Sequence, residues 1–151
     1  MTEVKLRKAT SEDAEQIFSW RNDSKIREHF LDSKPISWER HVQWLNETLQ
    51  KEDKFLLIGE MKGQPIGVLR FDTLNTVAEI SIYLVPSRHD KGLGSSLLEA
   101  GCRWVQDYLP RIKKIQAHIL TKNQKSMKVF EKEGFIEFSR LLEYDIPLKS
   151  R

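Results

Sequence analysis

Apolar residues change their spacing several times along the chain, and each change predicts a new element of secondary structure. Residues 4–9 alternate weakly between apolar and polar and predict a first strand. The stretch "TSEDAEQIFSWRND" has acidic residues early and apolar residues at helical spacing afterwards, which predicts a helix capped by Thr10 or Ser11. The following "KIREHF" predicts one further short turn.

A second helix is predicted by the stretch "KPISWERHVQWLNETLQ". Ser37 suits the N-cap, and Trp38, Val42, Leu45 and Leu49 recur at helical spacing. The next stretch, "KFLLIGEMKGQPIGVLRFD", predicts two strands joined at "KGQ", a hairpin over residues 54–72. A third strand is expected over residues 76–85.

The second half of the chain alternates strands with helices. A long helix is expected over residues 92–109, ended by Pro110, followed by a strand at "KKIQAHILT". A helix at "NQKSMKVFEKEG" is closed by Gly134, and "FIEFSRLLEYDIPL" predicts a last strand or hairpin. The long helix is expected to bury Leu97, Leu98, Gly101, Trp104, Val105 and Tyr108.

The resulting order is β-α-α-β-β-β-α-β-α-β. Consecutive hairpin strands followed by strand–helix–strand units predict an α/β (α+β) fold, in which a mixed sheet carries helices on both faces. The length of 151 residues and the absence of a linker predict a single domain over residues 1–151.

Composition narrows the class of protein. The 39% hydrophobic and 31% charged content fits a soluble globular protein, and no apolar run approaches the length of a transmembrane helix. The charged start lacks a signal-peptide apolar region, and the single Cys102 cannot form an internal disulfide, so we expect a cytoplasmic protein. The net charge of +3 suits a small anionic ligand, but there is no basic stripe typical of nucleic-acid binding.

The stretch "LVPSRHDKGLGSSLLEAG" joins a strand to the long helix through a glycine turn. Such a turn can hold a phosphate or simply redirect the chain. It is not a Walker loop, and Leu97 stands where a dinucleotide fingerprint has its third glycine. However, unpaired N–H groups and the positive end of the helix dipole meet here, which favours an anion site. Gly92 and Gly94 would let a phosphate approach the backbone, and Arg88 and Lys91 add charge.

Two linked segments, "VPSRHDKGLGSSLLEAG" and "LTKNQKSMKVFEKEGF", resemble the GNAT superfamily of acyl-CoA-dependent N-acetyltransferases. The first is similar to that family's pyrophosphate loop, commonly Arg/Gln-x-x-Gly-x-Gly/Ala. The second is similar to the strand and helix that follow, commonly an Asn, a small residue and an aromatic before Lys-x-Gly-Phe. The resemblance extends over residues 5–148. Departures from the usual loop are His89, in place of Arg or Gln, and Asp90, in place of a small residue.

The resemblance implies how acetyl-CoA would be held. The strand residues Leu84 and Val85 would pair with the pantetheine arm like an added strand. Asn123 and Ser126, with Phe130 nearby, would line the other side of the arm. The pyrophosphate would rest on the backbone of His89, Asp90, Lys91, Gly92, Leu93, Gly94 and Ser95.

Acetyl transfer requires a neutral amine. Deprotonating a lysine-like amine at pH 7 costs about 4.6 kcal/mol, whereas an amine with a pKa near 8 costs about 1.4 kcal/mol. In "AEISIYLV", Glu79, Ser81 and Tyr83 share one face of a strand that should be apolar on both faces if helices cover them. This polar row is either a partly uncovered face, with Glu79 solvated or ion-paired, or the acceptor cavity, with Glu79 as the general base acting through a water. We favour the second interpretation.

The proton donor to the departing thiolate is not obvious. The family often has a tyrosine where this chain has Phe130, which cannot donate a proton. The thiolate then leaves unassisted, or Tyr83 or Ser81 supplies the proton. His29, His41 and His118 do not cluster with other ligand types at metal spacing, so no metal is expected. His118 is expected to be a satisfied structural histidine, although it could face the cavity.

The N-terminal helices form the acceptor wall in this superfamily. "SWRNDSKIREHF", "ISWERHVQWL" and "IGVLRFD" resemble the amino-sugar-nucleotide acetyltransferases of the pseudaminic acid pathway, which act on a UDP-linked 4-amino-4,6-dideoxy sugar. They have a more general likeness to the N-terminal acetyltransferases of ribosomal proteins. Arg21 would grip a diphosphate, Asn22 would also contact the acceptor, and His41 and Trp44 would offer a hydrogen bond and a stacking surface. Arg21, Arg27 and Arg40 could equally form an ordinary solvated helix face.

Three functional hypotheses therefore stand. The first is an acetyl-CoA-dependent amine acetyltransferase acting on a small-molecule or sugar-nucleotide acceptor, or else on a protein N-terminus. The second is a CoA-binding module that has lost catalysis, which His89, Asp90 and Phe130 motivate. The third is a structural domain whose glycine turn binds nothing. No nucleic acid or membrane partner is expected, and a homodimer is left open.

Overall fold

The computed structural model describes residues 3–30, 32–88 and 92–149, and five strands in it form one sheet in the order of the chain. The strands are β1 (Lys5–Lys8), β2 (Lys54–Met61), β3 (Gln64–Leu74), β4 (Val77–Leu84) and β5 (Lys114–Gln116). The helices are α1 (Ala14–Arg21), α2 (Ser24–Arg27), α3 (Trp38–Gln50), α4 (Leu93–Tyr108) and α5 (Gln124–Lys132). Neighbouring strands are antiparallel except for β4 and β5, which are parallel.

Each face of the sheet has its own apolar core, because strand side chains alternate between faces. Leu56, Ile58 and Val68 pack with buried residues of α1 and α3, such as Ile17 and Leu45. On the opposite face, Leu57, Leu69, Phe71, Ala78 and Ile80 pack against α4 and α5. Helices therefore cover both faces, as the sequence predicts.

Helix α4 lies unusually close to the sheet because glycines face it. A Cβ added at Gly67 would lie 2.4 Å from Leu97 Cδ2 and 2.6 Å from the Tyr83 carbonyl oxygen, and one added at Gly59 would lie 2.4 Å from Leu97 Cδ1. Since the Tyr83 oxygen is backbone, it cannot move aside cheaply. These two strand glycines therefore set how closely α4 packs against the sheet. The distance between α4 and the sheet in turn sets the position of the turn at the N-terminus of α4.

The N-terminal strand is tied to α1 by an ion pair. The Arg7 guanidinium donates two hydrogen bonds of 2.9 Å to the Asp13 carboxylate, which also accepts from the Thr10 N–H at 2.8 Å. The paired guanidinium lowers the pKa of Asp13, while burial opposes that shift. A 3₁₀ turn over Ser11–Asp13 thus leads into α1, where the sequence predicts a helix from Thr10 or Ser11.

The pairing between β4 and β5 is short. It joins Val77, Ala78 and Glu79 to residues 114–116 and then stops, while β4 continues to Leu84 paired only with β3. The sheet therefore splits after Glu79, and the outer edge of the second half of β4 is open in the described structure. The predicted strand over "KKIQAHILT" is correspondingly reduced to Lys114–Gln116.

Most predicted elements are confirmed, including the Ser37 cap of α3, whose hydroxyl accepts from the Arg40 N–H at 3.3 Å. Two expectations are wrong. Tyr108, predicted in the core, is 67% exposed because α4 ends there, although its ring touches Trp104. The predicted last strand or hairpin is not formed, since residues 135–149 contain neither helix nor strand and find no partner strand in the described chain. Within the described residues, no helix combines the length and apolarity needed to cross a membrane.

Candidate active site

A polar patch occupies one end of the sheet face that α1 and α3 cover at the other end. Glu79, Ser81 and Tyr83 of β4 lie directly across from Asp72, Arg70 and Val68 of β3, respectively. Because paired residues point to the same face, five polar side chains and one valine share this region. The predicted polar row on β4 is therefore part of a wider polar surface on two strands.

The hydroxyl of Tyr83 is buried and unpaired at the inner end of the patch. It has no hydrogen-bond partner in the described structure, and the Phe30 ring covers the Tyr83 ring edge-on at 6.1 Å between centroids. Burial raises the pKa of Tyr83, and the nearby charges of Arg21 and Arg70 only partly offset that rise. Tyr83 is thus a neutral phenol, close enough to Arg21 and Arg70 for both of their charges to act on it.

Arg21, at the end of α1, is held by two aromatic neighbours. Its guanidinium carbon lies 4.3 Å from the centroid of the Trp44 ring, and its Nη1 lies 3.3 Å from His41 Nδ1. Burial lowers the pKa of Arg21, and the charge of Arg70 lowers it further. No ion pair with a carboxylate is found for Arg21 within the described structure. Its guanidinium contacts the π face of Trp44 and the neutral ring of His41 instead.

His41 holds Arg21 in place and does not reach the acceptor side. The ring is 0% exposed, and its Nε2 lies 2.8 Å from the Ala14 carbonyl oxygen. A carbonyl can only accept, so Nε2 carries the proton and Nδ1 is left to accept from Arg21. Burial lowers the pKa of His41, and the charge of Arg21 acts in the same direction. The expectation that His41 offers a hydrogen bond to the substrate is therefore wrong, since both ring nitrogens are taken.

Two further acceptor residues also serve the protein's own structure. One face of Trp44 lies under Arg21, so that face is not free to stack on a sugar or a base. Asn22 uses both ends of its amide: Nδ2 donates to the Ile36 carbonyl at 3.0 Å, and Oδ1 accepts from the Ile36 N–H at 2.9 Å. Asn22 thus fixes the loop before α3, and its contact with the acceptor stays a prediction.

Charged side chains at the outer end of the patch are paired. Glu79 Oε1 lies 3.0 Å from His118 Nδ1, and both side chains are largely exposed, at 48% and 78%. Asp72 lies 3.3 Å from Lys54 Nζ and 3.3 Å from Arg70 Nε. The Arg70 contact is an ion pair without hydrogen-bond alignment. His118, expected to be structural, is instead an exposed partner of the proposed base.

The sequence interpretation missed three residues of this patch, Phe30, Arg70 and Asp72, and gave a cavity position for His118 only as the alternative. A signal for two of them was present, because "VLRFDTL" places Arg70 and Asp72 on one face of a central strand. The same period-two reasoning that singled out Glu79 would have found them. Phe30 and His118 come from loops, so only the tertiary structure brings them here.

The glycine turn has the geometry of an anion site. Gly92 is the N-cap of α4 with φ of 87°, a left-handed conformation that favours glycine. The first intrahelical bond runs from the Ser96 N–H to the Gly92 carbonyl at 3.0 Å, so the N–H groups of Leu93, Gly94 and Ser95 have no acceptor within the helix. His89, Asp90 and Lys91 lie outside the described residues.

The open edge of β4 adjoins this turn. The Val85 N–H donates to the Ile66 carbonyl at 2.8 Å, and the Val85 carbonyl accepts from the Arg88 N–H at 2.8 Å, so the Val85 backbone is already satisfied. Because successive residues of a strand turn their backbone groups to opposite edges, those of Leu84 point to the open side. Of the two residues expected to pair with a pantetheine arm, Leu84 is the one available.

Helix α5 and the loop before it offer fewer side chains to a bound cofactor than the sequence predicts. Asn123 is the N-cap of α5, and its Oδ1 accepts from the Ser126 N–H at 3.1 Å. Phe130 is 3% exposed and packs edge-on against Phe135 at 4.9 Å, so its side chain belongs to the core and not to a cofactor channel.

Glu28, His29 and Lys122 line a cleft of about 160 Å³ that joins the loop after α2 to the loop before α5.

The described residues contain neither a cluster of metal ligands nor a thiol that is ionised at neutral pH. Among residues 3–30, 32–88 and 92–149, no three His, Cys, Asp or Glu side chains converge in a way that could hold a metal ion. Cys102 is half-buried against the core of α4, and burial raises the pKa of its thiol to about 11. The thiol therefore stays protonated at neutral pH and packs as a small apolar residue, as expected.

Comparison with known proteins decides the family. A family model described as "Acetyltransferase (GNAT) domain" matches residues 3–136, most of the chain. The chain belongs to the GNAT acetyltransferase family. This confirms the resemblance drawn from the glycine turn and the α5 segment. The enzyme is an acyltransferase that transfers an acetyl group from acetyl-CoA to an amine.

Its relatives differ in their acceptors. Acetyltransferase PseH of Campylobacter jejuni subsp. jejuni serotype O:23/36 (strain 81-176) is 28% identical over 136 residues, which cover 87% of this chain and 84% of that protein. The structure of AAC(6')-Ib with ribostamycin and coenzyme A aligns with a TM-score of 0.79 at 25% identity, over 89% of this chain and 83% of that one. Spermidine N-acetyltransferase from Vibrio cholerae, with CoA and spermine, aligns with a TM-score of 0.85 at 21% identity, over 95% and 87% of the two chains, and shows the shared fold.

The buried, neutral His41 predicts how stability depends on pH. Its folded-state pKa lies below its ordinary value of 6.5, so below that pH the unfolded chain binds more protons than the folded chain. The free energy of unfolding should therefore decrease as the pH falls from about 7.5 to 5.5. In H41Q this part of the decrease should disappear, and stability at pH 7.5 should drop by about 1–3 kcal/mol because a buried hydrogen bond is lost.

Urea unfolding at several pH values measures both effects. H29Q is the matched control, because His29 is exposed and should leave the slope as in the wild type. An H41Q variant with an unchanged pH slope would show that the imidazole is not held neutral by burial.

Proposed function

We propose that this acetyltransferase binds acetyl-CoA across the split between β4 and β5 and acetylates the amine of an acceptor that carries an anionic group. The acceptor class that fits best is a UDP-linked 4-amino-4,6-dideoxy sugar. The observation that carries this proposal is the buried and unpaired hydroxyl of Tyr83, together with the guanidinium groups of Arg21 and Arg70, whose charges act on it, and of which Arg21 has no carboxylate partner in the described structure.

The placement of CoA follows from two open sets of backbone groups. The N–H groups of Leu93, Gly94 and Ser95 would hold the pyrophosphate together with the loop residues His89, Asp90, Lys91 and Gly92. The backbone of Leu84, on the open edge of β4, would pair with the pantetheine arm as a strand would. Asn123 and Ser126, the N-cap and first turn of α5, would line the other side of the arm.

Glu79 is the proposed general base. Its carboxylate sits on the strand that leads to Leu84, at the outer end of the patch, where water can enter and relay the proton. The deprotonation that Glu79 would assist costs about 4.6 kcal/mol at pH 7 for a lysine-like amine, but only about 1.4 kcal/mol for an amine with a pKa near 8. The catalytic need for Glu79 thus depends on the basicity of the acceptor.

Tyr83 and Ser81 are the candidate donors to the departing thiolate. Burial keeps the Tyr83 phenol protonated at neutral pH, so it can donate a hydrogen bond. The same burial makes full transfer of its proton costly, which favours stabilisation of negative charge over complete protonation. Ser81, paired with Arg70 across the strands, is the alternative on the same face.

The charge of the patch distinguishes between acceptor classes. Arg21 has no carboxylate partner in the described structure, and the positive charge of Arg70 already disfavours a second cation nearby. A polycation would add further repulsion beside Arg21, whereas a phosphate or carboxylate would pair with Arg21 and accept from the Tyr83 hydroxyl, while Arg70 keeps its ion pair with Asp72. This supports the sugar-nucleotide acceptor, in line with the PseH relatives, over a polyamine or an aminoglycoside.

The CoA site can be tested at Gly92. In G92A the added Cβ would strain the left-handed backbone and shift the N–H groups of the turn, so the affinity for CoA should fall about tenfold or more. Isothermal titration calorimetry measures the affinity. G63A is the matched control, since Gly63 has φ of 76° with nothing within 4 Å of its Cβ, as at Gly92, but lies in the β2–β3 turn. Equal CoA affinity in both variants would contradict the proposed pyrophosphate site.

The base can be tested with two acceptors of different basicity. E79Q should lower kcat about 100- to 10,000-fold for a lysine-like amine, because general base catalysis is lost. For an amine with a pKa near 8 the loss should stay within about tenfold. E99Q, on the far side of the sheet, is the control. Thiol-release rates measured against pH would refute the role of Glu79 if E79Q kept both the rate and the pH profile of the wild type.

The anionic acceptor can be tested at Arg21. R21Q should lower kcat/KM for the UDP-linked amino sugar about 10- to 100-fold, since a charge-assisted hydrogen bond is lost, while the KM for acetyl-CoA stays unchanged. Activity on an uncharged amino sugar without the nucleotide should be affected little. R103Q, an exposed arginine of α4, is the control. An equal loss on charged and uncharged acceptors would show that Arg21 does not contact an anionic group.

A further inference from the structure

The carboxylate of Glu79 is held by a histidine from the far side of the split. The imidazole Nδ1 of His118 lies 3.0 Å from Glu79 Oε1. An ionised carboxylate only accepts hydrogen bonds, so Nδ1 carries a proton and donates it to Oε1. The contact joins β4 to the chain that follows β5, just where the two strands stop pairing.

The position of His118 follows from the residues on either side of it. Gln116 is the last residue of β5 and pairs with Glu79, while Ala117 and Ile119 pack against the core beneath α4 and α5. Because the side chains of an extended chain alternate, His118 points away from that core, to the face that carries Glu79. The His118 side chain is 78% exposed, so its substitution should leave the packing of the sheet intact.

A second carboxylate lies beside Glu79 but has partners of its own. Asp72 is directly across from Glu79 on β3, and like charges at such positions repel each other. Asp72 is paired with Lys54 of β2 and with Arg70 of its own strand. In the order of the sheet, these cations lie on one side of Glu79 and His118 lies on the other. The two carboxylates therefore do not compete for the same partner.

We propose that His118 is a positioning residue for the base: its hydrogen bond to Oε1 fixes the Glu79 carboxylate in one orientation and leaves Oε2 to the water that relays the proton. This inference rests on the proposed role of Glu79 as the general base. No hydrogen bond or ion pair to Oε2 is found in the described part of the chain. The water gives one proton to Oε2 and takes one from the acceptor ammonium, which leaves a neutral amine.

The benefit comes from orienting the base before the acceptor binds. Glu79 is 48% exposed, and an exposed glutamate that nothing holds populates several rotamers. Only the rotamers in which Oε2 meets the relaying water can catalyse. A hydrogen bond that is already formed in the free enzyme raises their fraction. From the rotamer freedom of a glutamate, we expect a gain of about 5- to 20-fold in kcat.

The first test removes the donor. H118L keeps a side chain of similar size, and with a lysine-like acceptor its kcat should fall about 5- to 20-fold, while the KM for acetyl-CoA stays unchanged. With an acceptor of pKa near 8 the loss should stay within about twofold, because deprotonation contributes little there. R103L removes the partner of another exposed glutamate, Glu99 of α4, and is the matched control that should keep the wild-type rate.

The second test restores the donor or removes its acceptor. The amide nitrogen of asparagine takes the place of the histidine Nδ1 and also donates, so H118N should recover most of the rate lost in H118L. E79Q combined with H118L should be no slower than E79Q alone, since no carboxylate is left to orient. Thiol release at saturating acetyl-CoA measures all of these rates.

The results separate the role of His118 from that of Glu79. A slow E79Q variant beside an H118L variant at the wild-type rate would overturn the positioning role and leave Glu79 as the base. An H118L loss that is equal for both acceptors, that H118N does not reverse, or that persists in the E79Q background would also overturn it. E79Q at the wild-type rate would refute the base itself, and the positioning role with it.

Discussion

The short pairing between β4 and β5 is the constraint on which the rest of the molecule depends. A parallel pair that continued past Glu79 would satisfy the backbone of β4 along its whole length and leave no room for a ligand between the strands. Because pairing stops at Glu79, the backbone of Leu84 faces an open edge directly before the N-terminus of α4. The same interruption leaves β5 with only three paired residues in the described structure.

Close packing fixes where the open edge meets the anion site. Gly59 and Gly67 allow Leu97 of α4 to approach the sheet at a distance that a Cβ would forbid. The depth of α4 then sets the position of the turn at Gly92 relative to the end of β4. The proposed CoA site has two halves, a strand edge and a helix N-terminus. Their relative position is thus fixed by residues that do not contact the ligand.

The opposite face of the sheet shows how a buried neutral group can position a charged one. His41 is held in one tautomer by the Ala14 carbonyl, and its remaining nitrogen orients Arg21 over Trp44. The three residues were all expected to touch the acceptor, because the N-terminal helices form the acceptor wall in the family that the sequence resembles. Only Arg21 keeps a charge directed at the patch, while His41 and Trp44 act through it.

The sequence by itself determined the order of elements as far as α5, the glycine turn and the polar row of β4, because these depend on local periodicity. The family was indicated by the resemblance of two linked motifs. It could not determine that β5 would stop at Gln116, that Phe130 would be buried, or that Phe30 and His118 would join Glu79 and Tyr83. Those features depend on which strands pair and how far, and on burial against residues distant in sequence. Residues 136–148 show the same limit of sequence-based prediction. Their alternation with a period of two predicts a strand, but a strand forms only where another strand is available to pair with it.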